Sequence, residues 1–183
     1  IIHSINEGEI APFYFLYGSE SFYRMEIIQA LSHKLITSDN RDFNLENFDA
    51  RETSVGDWLG AARTLSFLGG TKLIVIRNLH DTTLEDPEQK LLLEYITNPE
   101  LDSCLVITVD KADKKRKLYK TLIAQPGALS CEAPQEASLI NWVKGRATSF
   151  GYNLNTEAAR KMIDRVGAKP GILAKELEKV MTY

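Results

Sequence analysis

The stretch Phe13-Tyr14-Phe15-Leu16-Tyr17-Gly18 decides the fold of this chain. It is an apolar run typical of a buried strand, and it ends at a glycine that opens a helical pattern. A P-loop continues such a turn with Gly-Lys-Ser/Thr, whose lysine and hydroxyl hold phosphates and Mg²⁺. Here the continuation is Ser19-Glu20-Ser21, which offers a carboxylate instead. The sequence therefore predicts a nucleotide-binding type of scaffold that lacks the residues needed to bind and hydrolyse a nucleotide.

The first 133 residues alternate between strand-like and helical patterns. Short apolar runs are separated by segments whose apolar residues recur every three or four positions. This alternation is typical of a parallel sheet with helices on both faces. We therefore predict an α/β fold with a five-stranded parallel sheet. The predicted strands are Phe13–Tyr17, Leu45–Asp49, Leu73–Arg77, Cys104–Val109 and Ala128–Cys131.

The pattern changes after Ala133-Pro134, where helical segments follow one another without a strand between them. We predict a first domain over residues 1–133 and a small three-helix domain over residues 134–183. The chain lacks an initiator methionine and ends inside a helical pattern, so we expect a piece of a longer protein. The predicted helices of the second domain are Glu136–Phe150, Thr156–Val166 and Ile172–Tyr183.

Composition argues against several classes of protein. The chain has 22 basic and 25 acidic residues, a net charge of −3, so no overall field attracts nucleic acid or acidic membranes. No apolar run approaches the roughly 18 residues that span a bilayer, and no signal peptide precedes the first strand, so we expect a cytoplasmic protein and no membrane partner. Cys104 and Cys131 lack partners at metal-ligand spacing, and the histidines are scattered. We therefore expect no metal and no cofactor.

The best candidate for function is Leu65-Ser66-Phe67-Leu68, which precedes Gly69-Gly70. A predicted helix over Ser54–Leu65 lays one apolar stripe on the sheet, and Leu65 falls on that stripe. If the helix continues to the glycines, Phe67 and Leu68 face outward at a protruding tip, where an aromatic residue can insert into a partner's pocket. If it stops at Leu65, Phe67 folds back into the core. The pattern favours neither interpretation.

Two further features have a structural and a functional interpretation. The basic residues Lys114, Lys115, Arg116 and Lys117 are candidates for contact with DNA phosphates or with another subunit, but a solvated helix face explains them more simply. Glu20 is a candidate general base at the end of a strand, yet a carboxylate in the first turn of a helix usually binds the free N–H groups there.

These residues together resemble the delta subunit family of the bacterial DNA polymerase III clamp loader. The resemblance covers the whole chain in order, and each motif is weak alone. The matching stretches are Tyr14-Phe15-Leu16-Tyr17-Gly18-Ser19-Glu20, Leu65-Ser66-Phe67-Leu68 before Lys72-Leu73-Ile74-Val75-Ile76, Asp113-Lys114-Lys115-Arg116-Lys117-Leu118-Tyr119-Lys120, and Lys175-Glu176-Leu177-Glu178-Lys179.

The resemblance implies an AAA+-like first domain without a working P-loop, a helical lid domain, and a C-terminal collar domain that would follow Tyr183. In the family, an apolar pair at the position of Phe67 and Leu68 enters a hydrophobic pocket of the sliding clamp and helps to open that ring. This chain has Ser66 where some members have a bulky apolar residue, so either Leu65 or Leu68 is expected as the second anchor.

The same resemblance implies a non-enzymatic subunit within the DNA polymerase III holoenzyme. Its implied partners are the sliding clamp (beta subunit), the gamma/tau and delta-prime subunits, and DNA through the assembled complex. Two alternatives remain open. One is an ATP-binding or arginine-finger subunit, which the absence of Gly-Lys-Ser/Thr and Ser-Arg-Cys motifs disfavours. The other is an α/β enzyme that uses Glu20 on a small ligand.

Overall fold

The structure is a computed structural model that describes residues 1–182 of the chain. It divides into two compact units, Ile1–Glu132 and Ala133–Tyr183. The division falls one residue before the boundary predicted from the sequence.

A parallel sheet forms the centre of the first unit. Its strands are β1 (Phe13–Tyr17), β2 (Leu45–Asp49), β3 (Lys72–Arg77), β4 (Ser103–Val109) and β5 (Ala128–Ser130). Their order is β2-β3-β4-β1-β5, and every neighbouring pair is parallel. Each strand begins and ends within one residue of its predicted bounds. The predicted α/β fold with a five-stranded parallel sheet is confirmed.

Helices cover both faces of this sheet because successive side chains of a strand point to opposite faces. Phe15 belongs to a core with Trp58 and Leu92, whereas its neighbour Leu16 packs on the other side with Leu31. The first face carries α4 (Val55–Arg63), α5 (Asp86–Thr97) and α6 (Lys117–Ile123), and the second carries α1 (Ile2–Glu7) and α2 (Ser21–Leu35). A four-residue helix, α3 (Arg41–Asn44), directly precedes β2, and a short 3-10 helix covers Leu79–Asp81.

A buried lysine ties the start of β3 to its surroundings. The Lys72 ammonium lies 2.5 Å from a Glu46 carboxylate oxygen on β2 and donates to the Ala61 carbonyl of α4 at 2.9 Å. A buried charge is tolerated when it is paired and hydrogen-bonded in this way. The bonds hold β2, β3 and α4 together at the end of the sheet where the strands begin.

The second unit consists of α7 (Glu136–Ser149), α8 (Thr156–Val166) and α9 (Pro170–Thr182). Leu139 and Val143 of α7 pack with Ala159 of α8 and with Leu173 and Leu177 of α9. The last helix begins at Pro170, two residues before its predicted start at Ile172. Its predicted end at Tyr183 lies outside the described residues. Among the helices of the described chain, none is both long and apolar enough to cross a bilayer.

Candidate functional site

The glycine turn after β1 is closed by backbone contacts. Gly18 has φ 135°, in the region that favours glycine, and its N–H donates to the Val109 carbonyl at 3.1 Å. A Cβ at this position would lie 2.4 Å from the carbonyl carbon and oxygen of Cys131. The turn is therefore too tight for any other residue, because the Cys131 backbone already occupies the space beside it.

The N–H groups that a nucleotide phosphate would need in this turn are already bonded. Ser19 N–H donates to a Glu132 carboxylate oxygen at 3.3 Å, and Glu20 N–H donates to the Cys131 carbonyl at 2.8 Å. The Glu20 carboxylate caps α2 by accepting from Phe22 N–H at 3.0 Å. Two carboxylates thus stand at the helix N-terminus, where a phosphate-binding fold places the anion. The capping interpretation of Glu20 agrees with this geometry.

Arg24 occupies the adjoining space at the carboxyl end of the sheet. Its guanidinium donates to the Gly18 carbonyl and forms an ion pair with Asp110, the residue that follows β4. The residue directly after β3 is Asn78, whose side chain is an amide and not a carboxylate. Within residues 1–182, no group of three or more His, Cys, Asp or Glu side chains is placed to hold a metal ion.

The segment after α4 forms an exposed apolar tip. The helix ends at Arg63, earlier than predicted, because Thr64 adopts an extended backbone and its hydroxyl bonds back to the Gly60 carbonyl at 2.7 Å. Leu65 therefore leaves the inner stripe on which the sequence placed it. The exposed fractions of the side chains in this tip are 75% for Leu65, 86% for Phe67 and 51% for Leu68. Of the two orientations left open for Phe67, the structure has the exposed one.

The apolar tip is a hydrogen-bonded turn with glycines at its end. Gly69 N–H donates to the Ser66 carbonyl at 3.2 Å, and Gly69 and Gly70 have φ of 73° and 79°. These left-handed residues close the turn and lead into β3. One of the two interpretations of the sequence places these glycines at the end of α4, whereas the helix ends at Arg63.

A buried asparagine holds both ends of this turn. The Asn44 side chain donates to the Gly69 carbonyl at 3.0 Å, and its carbonyl oxygen accepts from the Ser66 hydroxyl. Asn44 is fully buried, so these bonds satisfy groups that would otherwise be costly to bury. Ser66 therefore uses its hydroxyl to fix the turn and leaves the neighbouring apolar side chains outside.

The residue before this asparagine extends the apolar tip sideways. The ring of Phe43 lies 6.3 Å from that of Phe67, at an interplanar angle of 42°, and Phe43 is itself 51% exposed. Sequence reasoning missed Phe43 and Asn44 because α3 has too few residues to show helical periodicity. The only available signal was an aromatic residue beside an asparagine just before a strand.

Parallel pairing explains why these two segments meet. Asn44 immediately precedes β2, Thr71 immediately precedes β3, and Leu45 pairs with Leu73 across the two strands. Both segments therefore lie at the amino end of the sheet, where its parallel strands begin. The closed glycine turn lies at the opposite, carboxyl end.

The basic residues before α6 lie mostly in a loop, which corrects the interpretation that they form a helix face. The helix begins only at Lys117, because a turn precedes it. This turn starts at Asp113, and the Asp113 carboxylate accepts from Lys115 N–H at 3.0 Å. The Lys114 ammonium lies 5.9 Å from the Tyr17 ring centroid, and the Arg116 guanidinium lies over Tyr119 at 5.8 Å. Leu118 and Leu122 of α6 are buried.

These features define a parallel α/β protein with helices on both faces of its sheet, whose glycine turn after β1 is closed. Solved structures with the same fold include a DNA clamp loader delta protein of Bacillus subtilis, with a TM-score of 0.87 and 24% identity over 98% of this chain and 56% of that one. The Holliday junction branch migration motor RuvB of Thermotoga maritima gives a TM-score of 0.52 at 15% identity, over 98% of this chain and 57% of that one. A gamma subunit-related protein of DNA polymerase III from the same organism gives 0.53 at 13% identity, over 96% of this chain and 70% of that one.

The chain belongs to the family of the DNA polymerase III delta subunit, whose family model matches residues 14–132. Among proteins of known role, the DNA polymerase III subunit delta of Bacillus subtilis is 24% identical over 188 aligned residues, which cover 98% of this chain and 54% of that protein. The chain thus spans about half the length of this relative. The resemblance found in the sequence is confirmed at the level of the family.

Proposed function

We propose that this chain is the clamp-binding part of a clamp-loader delta subunit, which binds the sliding clamp and helps to open it for loading on DNA. The observation that carries the proposal is the apolar tip at Phe67. Its apolar side chains are exposed, and Asn44 holds its turn by bonds to the Ser66 hydroxyl and the Gly69 carbonyl. In this proposal the second unit is the lid domain, and the partners are the clamp, the gamma/tau and delta-prime subunits, and DNA through the complex, in the cytoplasm.

An exposed aromatic side chain on a fixed turn suits insertion into an apolar pocket. Transfer of a large apolar side chain from water into a partner's pocket is favourable. The binding free energy is greatest when the side chain and its turn need not be ordered on binding. The tip meets both conditions, since Phe67 is largely exposed and its turn is hydrogen-bonded internally and to Asn44. This is the physical form expected of a binding hot spot.

The choice of the second anchor follows from the use of Ser66. Its hydroxyl bonds to Asn44, so it is not available to a partner as an apolar contact. Leu65 and Leu68 flank Phe67 and are both exposed. We propose Leu68 as the second anchor, because it lies inside the fixed turn whereas Leu65 precedes it.

The test of the proposed function is direct binding of the sliding clamp from the same organism to this chain, measured by calorimetry at low and at high salt. We expect saturable binding whose affinity changes little with salt, since apolar burial is not screened by ions. Binding that falls steeply with salt would point to the basic loop instead of the apolar tip. The absence of binding would overturn the proposal.

We further predict that this chain does not bind ATP. At the closed turn, the triphosphate would meet the Glu20 and Glu132 carboxylates, and their repulsion outweighs the attraction of a helix N-terminus, which is worth about 1 kcal/mol. Titration with Mg²⁺ and ATP should give no heat of binding. A micromolar affinity would contradict the prediction and would favour the alternative of an ATP-binding subunit.

Contact of the basic loop with DNA or another subunit stays a prediction. Lys114, Lys115 and Lys117 are exposed and Arg116 is partly buried, and the charged groups of Lys114 and Arg116 lie over aromatic rings. A charge reversal at Lys115 should weaken DNA retention by the assembled complex if the loop meets phosphates, and should change nothing if the loop is only solvated.

A further inference from the structure

The exposed apolar surface at the amino end of the sheet extends beyond the apolar tip, because Phe43 adds a second aromatic ring to it. Phe43 and Phe67 lie in ring contact, yet each remains more than half exposed. Aromatic side chains in a core are shielded from water by their neighbours, whereas these two rings are not. The two rings form one apolar surface, and Leu68, the exposed neighbour of Phe67 in the sequence, lies in the same turn.

The two rings are held in a fixed relation by the residues next to them. Asn44, the neighbour of Phe43, bonds to Ser66 and Gly69 on either side of Phe67 and Leu68. A surface built from two chain segments keeps one shape when its segments are bonded together, and a partner then pays little to order it. The buried Asn44 thus links the positions of both rings.

We propose that Phe43 is a second aromatic anchor of the same docking surface and contacts the sliding clamp beside Phe67. The inference rests on the proposed function and extends it from one chain segment to two. The occupant is the clamp, because the ring of Phe43 lies in contact with that of Phe67 at 6.3 Å and both are exposed, so that a partner seated on Phe67 has the second ring within its reach. Contacts of Phe43 with the clamp would exclude water from the contact that Phe67 makes and so strengthen that contact.

The first experiment measures clamp affinity for Phe43→Ala. We expect it to fall about tenfold, which is more than the near-neutral contacts around a hot spot lose and less than a central aromatic anchor loses. The matched control is Met25→Ala, since Met25 is also an exposed apolar side chain but lies on α2, away from the docking surface. Its affinity should equal that of the unmodified chain.

A second experiment separates contact from mere support of Phe67. The native thiols Cys104 and Cys131 are buried, and burial raises their pKa values to about 12 and about 11. Both stay protonated and inert toward alkylation, so a cysteine placed by Phe43→Cys is the reactive thiol of the chain. Excess clamp should slow its alkylation by N-ethylmaleimide at least about tenfold, read by the mass of this chain, if clamp covers the site. Met25→Cys should be alkylated at the same rate with and without clamp.

The outcomes distinguish the inference from the function beneath it. If the unmodified chain fails to bind the clamp, the proposed function fails. If Phe67→Ala weakens binding but Phe43→Ala does not, the function stands and the inference is overturned. If Phe43→Ala weakens binding but the thiol at that position reacts equally fast with clamp bound, Phe43 only supports Phe67, and the proposed contact is again overturned.

Discussion

Replacement of Phe67 by alanine is expected to weaken clamp binding about 30-fold or more and to leave folding nearly unchanged. An aromatic hot spot loses about 2–4 kcal/mol of binding free energy on truncation, which is about 30-fold at the lower limit. Stability should change little because the Phe67 side chain is largely exposed, and surface substitutions usually stay within about 0.5 kcal/mol. Calorimetric titration with clamp and thermal unfolding of the same variant measure both quantities.

The matched control for this prediction is Phe15→Ala. Phe15 is fully buried in β1, so its truncation should cost about 3–5 kcal/mol of stability and should not change clamp affinity per folded molecule. The opposite pairing, in which Phe67→Ala unfolds the chain but binds clamp normally when folded, would show that Phe67 is a core residue and would sink the clamp-anchor proposal.

Replacement of Gly18 by alanine should destabilise the first unit by about 2–6 kcal/mol. A non-glycine residue in a sparsely populated positive-φ conformation costs about 1–3 kcal/mol, and a forced steric contact adds about 1–3 kcal/mol more. The neighbouring backbone resists movement, since Cys131 N–H donates to the Tyr17 carbonyl at 2.6 Å and the Cys131 carbonyl accepts from Glu20. Urea unfolding measures the loss.

A second glycine provides the control within the same chain. Gly60 lies inside α4, is exposed, and has no atom within 4 Å of the place where a Cβ would stand. Gly60→Ala should therefore raise the free energy of unfolding by about 0.5–1 kcal/mol through the better helix propensity of alanine. Equal stabilities of Gly18→Ala and the unmodified chain would mean that the turn has room, and the argument against nucleotide binding would lose its steric part.

The three central strands β1, β3 and β4 could be predicted from the sequence because they are buried on both faces. Such strands appear as short apolar runs, and a run such as Leu73–Arg77 has the same bounds in sequence and structure to within one residue. The glycine turn was predictable for a related reason, because Gly18 is the residue type that a tight turn with positive φ requires.

The candidate site could be predicted only in part. Phe67 and Leu68 stood out as apolar residues off a helical stripe, and Leu65 was predicted on the stripe. The early end of α4 depends on the extended backbone at Thr64, which periodicity does not reveal. Phe43 and Asn44 were missed because their roles arise from the pairing of β2 with β3. A hydrogen bond such as that between Asn44 and Ser66 joins positions that no local pattern connects.

The attachment of the apolar tip to the sheet has a mechanical consequence. Tension applied at Phe67 enters β3 at its first residue, and through Asn44 it also enters β2, the neighbouring parallel strand. Along the strand direction, the hydrogen bonds of β3 with β2 and β4 share the load in shear and are not broken one after another. Lys72 adds a tether to β2 and α4 at the same point. A pull on the tip along the strand direction is therefore shared by β2 and β3; in the proposed function, this attachment would let a movement of the first unit act on a bound clamp without unfolding the strands.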